Sequence, residues 1–216
     1  MISINSPYQD KKFIESSMNS QLQLILGSSS PFRKKLLQKL TEDFICISPD
    51  IDESQRPDET PEELVQRLSI DKAKAVAEQT ENALIISSDQ IAIFNNTVLG
   101  KPHTHERAID MLSSFSGNTV RFETGLCLYN SQTQSVQYKS IPTVVHFRDL
   151  SLATIEAYLN RDKPYRCAGS FQAEGLGIVL FDKLESSDPN ALIGLPLIEL
   201  TSMLLVEGYD FLTMED

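Results

Sequence analysis

A carboxylate inside an apolar run, two lysines, an arginine behind a serine-rich turn and a carboxylate on an acidic loop are the residues best suited to chemistry here. Asp89 stands in Ala83-Leu-Ile-Ile-Ser-Ser-Asp-Gln-Ile-Ala-Ile-Phe94. Ile85, Ile91 and Ile93 share one parity there, and Leu84, Ile86, Ala92 and Phe94 the other. A strand apolar on both faces is covered on both. An isolated buried carboxylate is costly unless it is paired, bound to a metal or protonated. Either Asp89 has a cation opposite it or Ser87-Ser88-Asp89 breaks the strand, and both readings stay open from this segment.

Lys72 bears on that choice. Thr60-Pro-Glu-Glu63 is a capping box with proline at the first helical position, so a helix starts there and runs to about Glu78. At 100° per residue Val65, Leu68, Lys72 and Val76 fall within about 80° of each other. Lys72 therefore interrupts the apolar stripe and either snorkels to its rim or points an ammonium inward. Lys101 follows Gly100 and precedes Pro102, a stiffened strand exit from which a long cation can reach a ligand.

The elements around these residues are short and intermingled. Leu22 to Leu26 reads as a strand, followed by Gly27-Ser-Ser-Ser-Pro31 and a helix to about Leu40, with Ser30 as N-cap and Pro31 at the first position. A small-residue loop between strand and helix presents free N–H groups to an anion, with Ser28 in the loop and Arg33 in the first turn. The spacing is not that of a P-loop. Phe44 to Ser48 reads as a second strand and 49–60 as an acidic loop in which Asp50, Asp52 and Glu53 offer oxygen ligands. Asn95-Asn96 marks a tight hairpin turn, a helix is expected over 104–114, long strands over 119–129 and 135–147, and a helix capped by Ser151 to about Leu159. Arg166 to Gly177 is a glycine-punctuated loop carrying Glu174 between Ala173 and Gly175, with a strand expected over 178–181 and a last helix over 196–207 ended by Gly208. Mixed strands and helices favour α/β with a mixed sheet.

Composition excludes several classes. The 216 residues fit one large or two-lobed domain, taken as 21–216 after a poorly ordered extension over 1–20. A net charge of −11 argues against a nucleic-acid partner. No membrane-spanning run or secretory leader is visible, and Cys46, Cys127 and Cys167 make neither a disulfide framework nor a zinc site, so the chain is expected in the cytoplasm. His103 and His105 form a His-x-His pair whose bland reading is solvation beside a helix start. A homodimer is left open.

Ser-Ser-Ser-Pro-x-Arg, Asp-Glu, Lys72, Ser-Ser-Asp-Gln, Gly-Lys-Pro and Ala-Gly-Ser-Phe-x-x-Glu-Gly occur in that order from about residue 22 to the last helix. In this the chain resembles the Maf family of nucleoside triphosphate pyrophosphatases. The resemblance implies an elongated, two-lobed α/β fold with a central mixed sheet, like the inosine triphosphate pyrophosphatases, and hydrolysis of the α–β phosphoanhydride bond with a divalent metal such as magnesium, manganese or cobalt. It implies phosphate contacts from Ser28 and Arg33, a phosphate cleft lined by Glu53, Lys72 and Lys101, Asp89 as the catalytic carboxylate, and Glu53 with Asp89 on the metal. Phe32, Gln90 and Glu174 stand where the branch acting on dTTP and UTP has Arg, Thr and Gln, which makes the chain similar to the branch acting on 7-methyl-GTP. Independently of that label, a carboxylate such as Glu174 can accept from the N1–H and exocyclic amine of guanine together, and Phe32 can stack on a methylated, cationic base. Rival readings are a haloacid-dehalogenase-type phosphatase built on Asp50-x-Asp52, a Maf pyrophosphatase of the dTTP and UTP type, and a non-catalytic nucleotide-binding regulator of cell division.

Overall fold

A computed structural model describes residues 22–213; the N-terminal segment expected to be poorly ordered lies outside them. The chain order is β1 (Gln23–Leu26), α1 (Pro31–Leu37), β2 (Ile45–Cys46), α2 (Pro61–Ala77), β3 (Ala83–Phe94), β4 (Thr97–Leu99), α3 (His105–Phe115), β5 (Thr119–Asn130), β6 (Val136–Phe147), α4 (Leu152–Asp162), β7 (Phe181–Ser186) and α5 (Leu197–Val206). The strands form one mixed sheet in the order β2-β1-β3-β5-β6-β7, with β4 also on β3. β1 runs parallel to β2 and β3, and the other pairings are antiparallel. No helix among the described residues is long and apolar enough to cross a membrane.

The two parities of β3 separate as the pattern requires. Ile85, Ile91 and Ile93 pack under α2 with Val65, Leu68 and Val76. On the other face Leu84 and Ile86 join α1 and α5, whereas Ala92 and Phe94 join α3 and α4. That face thus carries two separate cores, one at each end of the long strands. The second is aromatic: Phe147, Phe171 and Phe181 meet edge to face with centroids 4.8–5.7 Å apart.

The edge of β3 facing β1 and β4 positions the site. β1 pairs with it as far as Ile86, and β4 pairs with it from Ala92 on. From 87 to 91 no strand among the described residues lies beside that edge. Asn95 and Asn96 both take positive φ (49° and 61°), the turn that brings β4 back.

Most expected elements form, and four boundaries shift. α4 runs on from the expected Leu159 to Asp162. α1 stops at Leu37, with Gln38 as its C-cap. β2 pairs only over Ile45–Cys46, because Phe44 and Ile47 turn into the cores on either side. The strand expected over 178–181 begins instead at Phe181, and Leu176–Leu180 winds as a 3-10 turn. The Gly177 N–H bonds back to the Gln172 carbonyl at 3.0 Å. A Cβ on Gly177 would lie 2.4 Å from that oxygen, so glycine lets the loop close on itself before the strand can start.

Candidate active site

Lys72 answers the question posed by Asp89. It is 6% exposed, and its ammonium reaches Asp89 Oδ1 at 2.6 Å and Glu53 Oε1 at 2.8 Å. Asp89 is 8% exposed and sits in an unbroken strand opposite Gly125. Both residues therefore take the inward, paired reading. Glu53 comes from the solvated 49–60 loop, with its side chain 55% exposed. Burial pushes its carboxyl up, but the hydrogen bond and charge of Lys72, helped by Lys101 and Arg33, outweigh that and hold it below the usual carboxylate range.

The approach of α2 to β3 is fixed one turn before Lys72. Ser69 Oγ donates to Val65 O at 2.7 Å and accepts from the Asp89 N–H at 3.2 Å. Ser87 Oγ donates to Ser69 O at 2.6 Å. Gly125 makes room beneath: its Cβ would lie 2.4 Å from Ser69 Oγ and 3.0 Å from Val65 O.

The serine-rich turn forms the next wall. Ser30 caps α1 as its sequence requires. Ser28 Oγ accepts from Ser30 N at 3.1 Å and Arg33 Nη1 at 3.5 Å, and Arg33 Nε donates to Gly194 O at 2.9 Å. Burial pulls the Arg33 guanidinium down from its usual pKa against the opposing pull of Asp89 and Glu53. An arginine stays charged through such a shift, so Arg33 is a fixed cation facing two carboxylates.

These groups line one cleft of about 480 Å³ with Lys101, Phe32, Gln90 and Glu174. The residues to which the resemblance assigns a role all line that cleft, Lys101 from the exit of β4 and Glu174 from the glycine-rich loop. The cleft lies against the open 87–91 edge of β3. Alternating side chains put Asp89 on the α2 side and Gln90 on the other. Gln90 Nε2 donates to Thr124 Oγ1 and Ala191 O, both at 2.9 Å, and to Leu192 O at 3.0 Å.

The turn 191–194 is a wall that sequence reading missed. Ser88 and Arg33 hold the Gly194 carbonyl, while Gln90 and Thr124 hold that of Ala191. Buried Asp188 ties the turn to α5 by accepting from Asn190 N and Ile198 N. Asp188-Pro-Asn signalled a turn, but carbonyl groups carry no sequence signal. Phe122, Arg166, Cys167 and Phe171 also line the cleft.

The other candidates lie outside the cleft. Asp50 and Asp52 are exposed and line a separate, open pocket with Arg56, Arg67 and Lys74, and Asp52 accepts from the Ser54 N–H, so the Asp-x-Asp pair stands apart from the residues around Asp89. His105 Nδ1 meets the Tyr165 hydroxyl at 2.9 Å. Among the described residues no three or more His, Cys, Asp or Glu side chains are grouped to hold a metal ion.

Cations and a serine turn at a break in a mixed sheet define an α/β protein built to take a small anionic ligand beside a carboxylate. Comparison with known proteins gives the family. The model of the Maf family, described as "Maf-like protein", matches residues 23–206, and the chain belongs to that family. It is 51% identical over 189 residues to a 7-methyl-GTP pyrophosphatase of Colwellia psychrerythraea, covering 88% of this chain and 94% of the relative. It is 54% identical over 185 residues to one from Pseudomonas savastanoi pv. phaseolicola, covering 86% of this chain and 96% of the relative. With that of Alcanivorax borkumensis the identity is 56% over 185 residues, covering 86% and 94%. The structure of the Staphylococcus aureus Ham1 protein superposes with a TM-score of 0.53 at 15% identity, covering 86% of this chain and 99% of that one, a likeness of fold.

Proposed function

We propose that the chain is a nucleoside triphosphate pyrophosphatase that cleaves 7-methyl-GTP to 7-methyl-GMP and diphosphate. The observation that carries this is the convergence of Glu53 and Asp89 on one ammonium in a cleft that also holds Arg33 and Lys101. Family membership and three relatives of that name at 51–56% identity support it.

Water attacks the α-phosphorus, the bond to the bridging oxygen breaks, and its electron pair leaves with diphosphate. Asp89 orients the water and takes its proton. Arg33, Lys101 and Ser28 hold the phosphate oxygens, and Lys72 neutralises charge beside the reacting centre. Glu53 and Asp89, whose oxygens flank the Lys72 ammonium at 2.8 and 2.6 Å, are the hard oxygen donors that would hold a divalent cation in the cleft. When bound, such an ion would polarise the phosphoryl group and lower the pKa of water. Gln90, Glu174 and Phe32 receive the base.

The three free thiols support action in the reducing cytoplasm. A panel of nucleotides with magnesium, manganese or cobalt, read for diphosphate, tests the proposal. Diphosphate from 7-methyl-GTP above all others is expected. Release of monophosphate alone, a preference for dTTP or UTP, or binding without turnover would overturn it.

A further inference from the structure

We infer that Thr124 is a positioning residue that fixes which end of the Gln90 amide meets the base, so that this wall of the cleft offers an acceptor and no donor. The inference rests on the proposed action on 7-methyl-GTP and deepens it. Gln90 and Thr124 are direct partners across β3 and β5, and Thr124 is fully buried. Gln90 Nε2 lies within 3.0 Å of three oxygens: Ala191 O, Leu192 O and Thr124 Oγ1. The two carbonyl groups can only accept. Thr124 Oγ1 gives its single hydrogen to Ala191 O at 2.9 Å, so towards Gln90 it has only lone pairs to offer.

The two carbonyl groups accept by their own chemistry, and Thr124 Oγ1 accepts because its hydrogen is engaged by Ala191 O, so the amide fits one way round. Turned over, it would press its oxygen against two carbonyl oxygens, strand two N–H donors and draw the Thr124 hydrogen away from Ala191 O. Gln90 lines the cleft, its Oε1 has no protein partner among the described residues, and that atom is not among the buried unsatisfied ones. The carbonyl end is therefore what Gln90 shows to a ligand. Glu174, across the same cleft, adds a carboxylate. The guanine edge carries adjacent N1–H and amino donors that such acceptors satisfy. Uracil and thymine carry a single N3–H between two carbonyl oxygens, which meet Oε1 unfavourably. Specificity for the base would then come from a hydroxyl that never touches it.

The test compares kcat and KM for 7-methyl-GTP and UTP in the parental chain, Thr124→Val, Thr124→Ser, Gln90→Ala and the double variant Gln90→Ala/Thr124→Val. Thr124→Val is expected to raise KM for 7-methyl-GTP about tenfold, with kcat and both UTP constants within about twofold, the size of one misplaced polar contact. Thr124→Ser keeps the hydroxyl and the parental selectivity. In the Gln90→Ala background Thr124→Val adds less than about twofold, because the amide it acts through is gone. Should Thr124→Val not fold, Thr124→Ala against Thr124→Ser makes the same comparison. A parental preference for 7-methyl-GTP that survives loss of the hydroxyl, or a loss shared equally by UTP, overturns the inference alone. A parental chain that does not prefer 7-methyl-GTP overturns the functional reading, and this inference falls with it.

Discussion

Asp89 and Gln90 are neighbours in β3 that serve opposite faces of the sheet, Asp89 meeting Lys72 of α2 and Gln90 the 191–194 turn. In an interior strand, residues on opposite faces are walled off from each other. Here no strand among the described residues pairs with one edge from 87 to 91, so a single ligand can wrap that edge and touch both faces. Reaction and recognition are thereby assigned to consecutive residues.

Removing charge from either member of the central pair should have unequal effects. In Asp89→Asn, Lys72 keeps Glu53, so unfolding in urea should shift by less than about 1 kcal/mol while diphosphate release falls by about 10²–10⁴. Lys72→Met leaves Asp89 buried without its cation and should cost more stability, about 1–3 kcal/mol. Measured unfolding midpoints decide the order, and Asp89→Asn hydrolysing at the parental rate would remove Asp89 from the chemistry.

Glu174 should give binding an acid limb. Burial pushes its carboxyl above the ordinary value, and the charge of Asp162 adds to that against its own backbone N–H and Lys35. As pH falls through the raised pKa, the carboxylate takes a proton and loses an acceptor site. KM for 7-methyl-GTP is therefore expected to rise on acidification, starting above the usual glutamate pKa of about 4.3. A raised carboxyl pKa also means that ionisation costs the fold, so Glu174→Gln should be no less stable at pH 7 than the parent. The same variant should bind 7-methyl-GTP more weakly and lose the limb, as KM measured from pH 5 to 8 will show.

The acidic loop has the opposite dependence. Glu59 is held down to about 2 by its hydrogen bond from Arg67, despite burial. Arg67 also donates to Ser54 O at 2.9 Å, next to Glu53. A folded pKa below the ordinary 4.5 means that the contribution is complete above that pH and is lost as pH falls towards 2. Acid unfolding should begin at higher pH in Glu59→Gln than in the parent. KM for triphosphate should rise at pH 7 as the Glu53 loop loosens.

What could be read from the sequence was what periodicity and capping encode. Both faces of β3 and the place of Lys72 on the buried stripe of α2 follow from apolar spacing and the start of α2 from its capping box, whereas the inward turn of the Lys72 ammonium was decided only by its meeting with Asp89. Three things escaped it. The open edge depends on where β1 and β4 stop, which pairing decides. The carbonyl groups of 191–194 have no residue type to betray them. The strand over 178–181 failed because β-branched Ile178 and Val179 suit a strand, whereas the loop closed by Gly177 leaves both exposed.

Phe32 lines the cleft while keeping part of its surface exposed, as a stacking platform must. Phe32→Ala should raise KM for 7-methyl-GTP by about tenfold, in line with about 1–3 kcal/mol for a stacked base. Phe32→Trp should lower it, because a larger π face holds a cationic base better. Equal effects on 7-methyl-GTP and unmethylated GTP would show that Phe32 packs without sensing the methyl group's charge.

Gly125 is expected to control the chemistry from beneath the helix that carries Lys72. Ser69 Oγ stands 2.4 Å from where a Cβ would lie, and the Val65 carbonyl stands 3.0 Å away. In Gly125→Ala, α2 must therefore lift by about 1 Å, since Cβ contacts this short are not tolerated. Stability should fall by about 1–3 kcal/mol, the range for overpacking. Lys72 lies one turn after Ser69, so the same lift draws its ammonium from Asp89, and kcat should fall about tenfold or more while KM changes less. A purely structural role predicts that loss of stability without loss of kcat well below the melting temperature. Ser69→Ala in the Gly125→Ala background removes the closest clash and should restore part of both. In a Lys72→Met background, Gly125→Ala should still lower stability but leave the residual kcat nearly unchanged, because the group it displaces is absent. A full tenfold loss there would mean that Gly125 acts on Asp89 through the strand itself, and the lifted-helix account would be wrong.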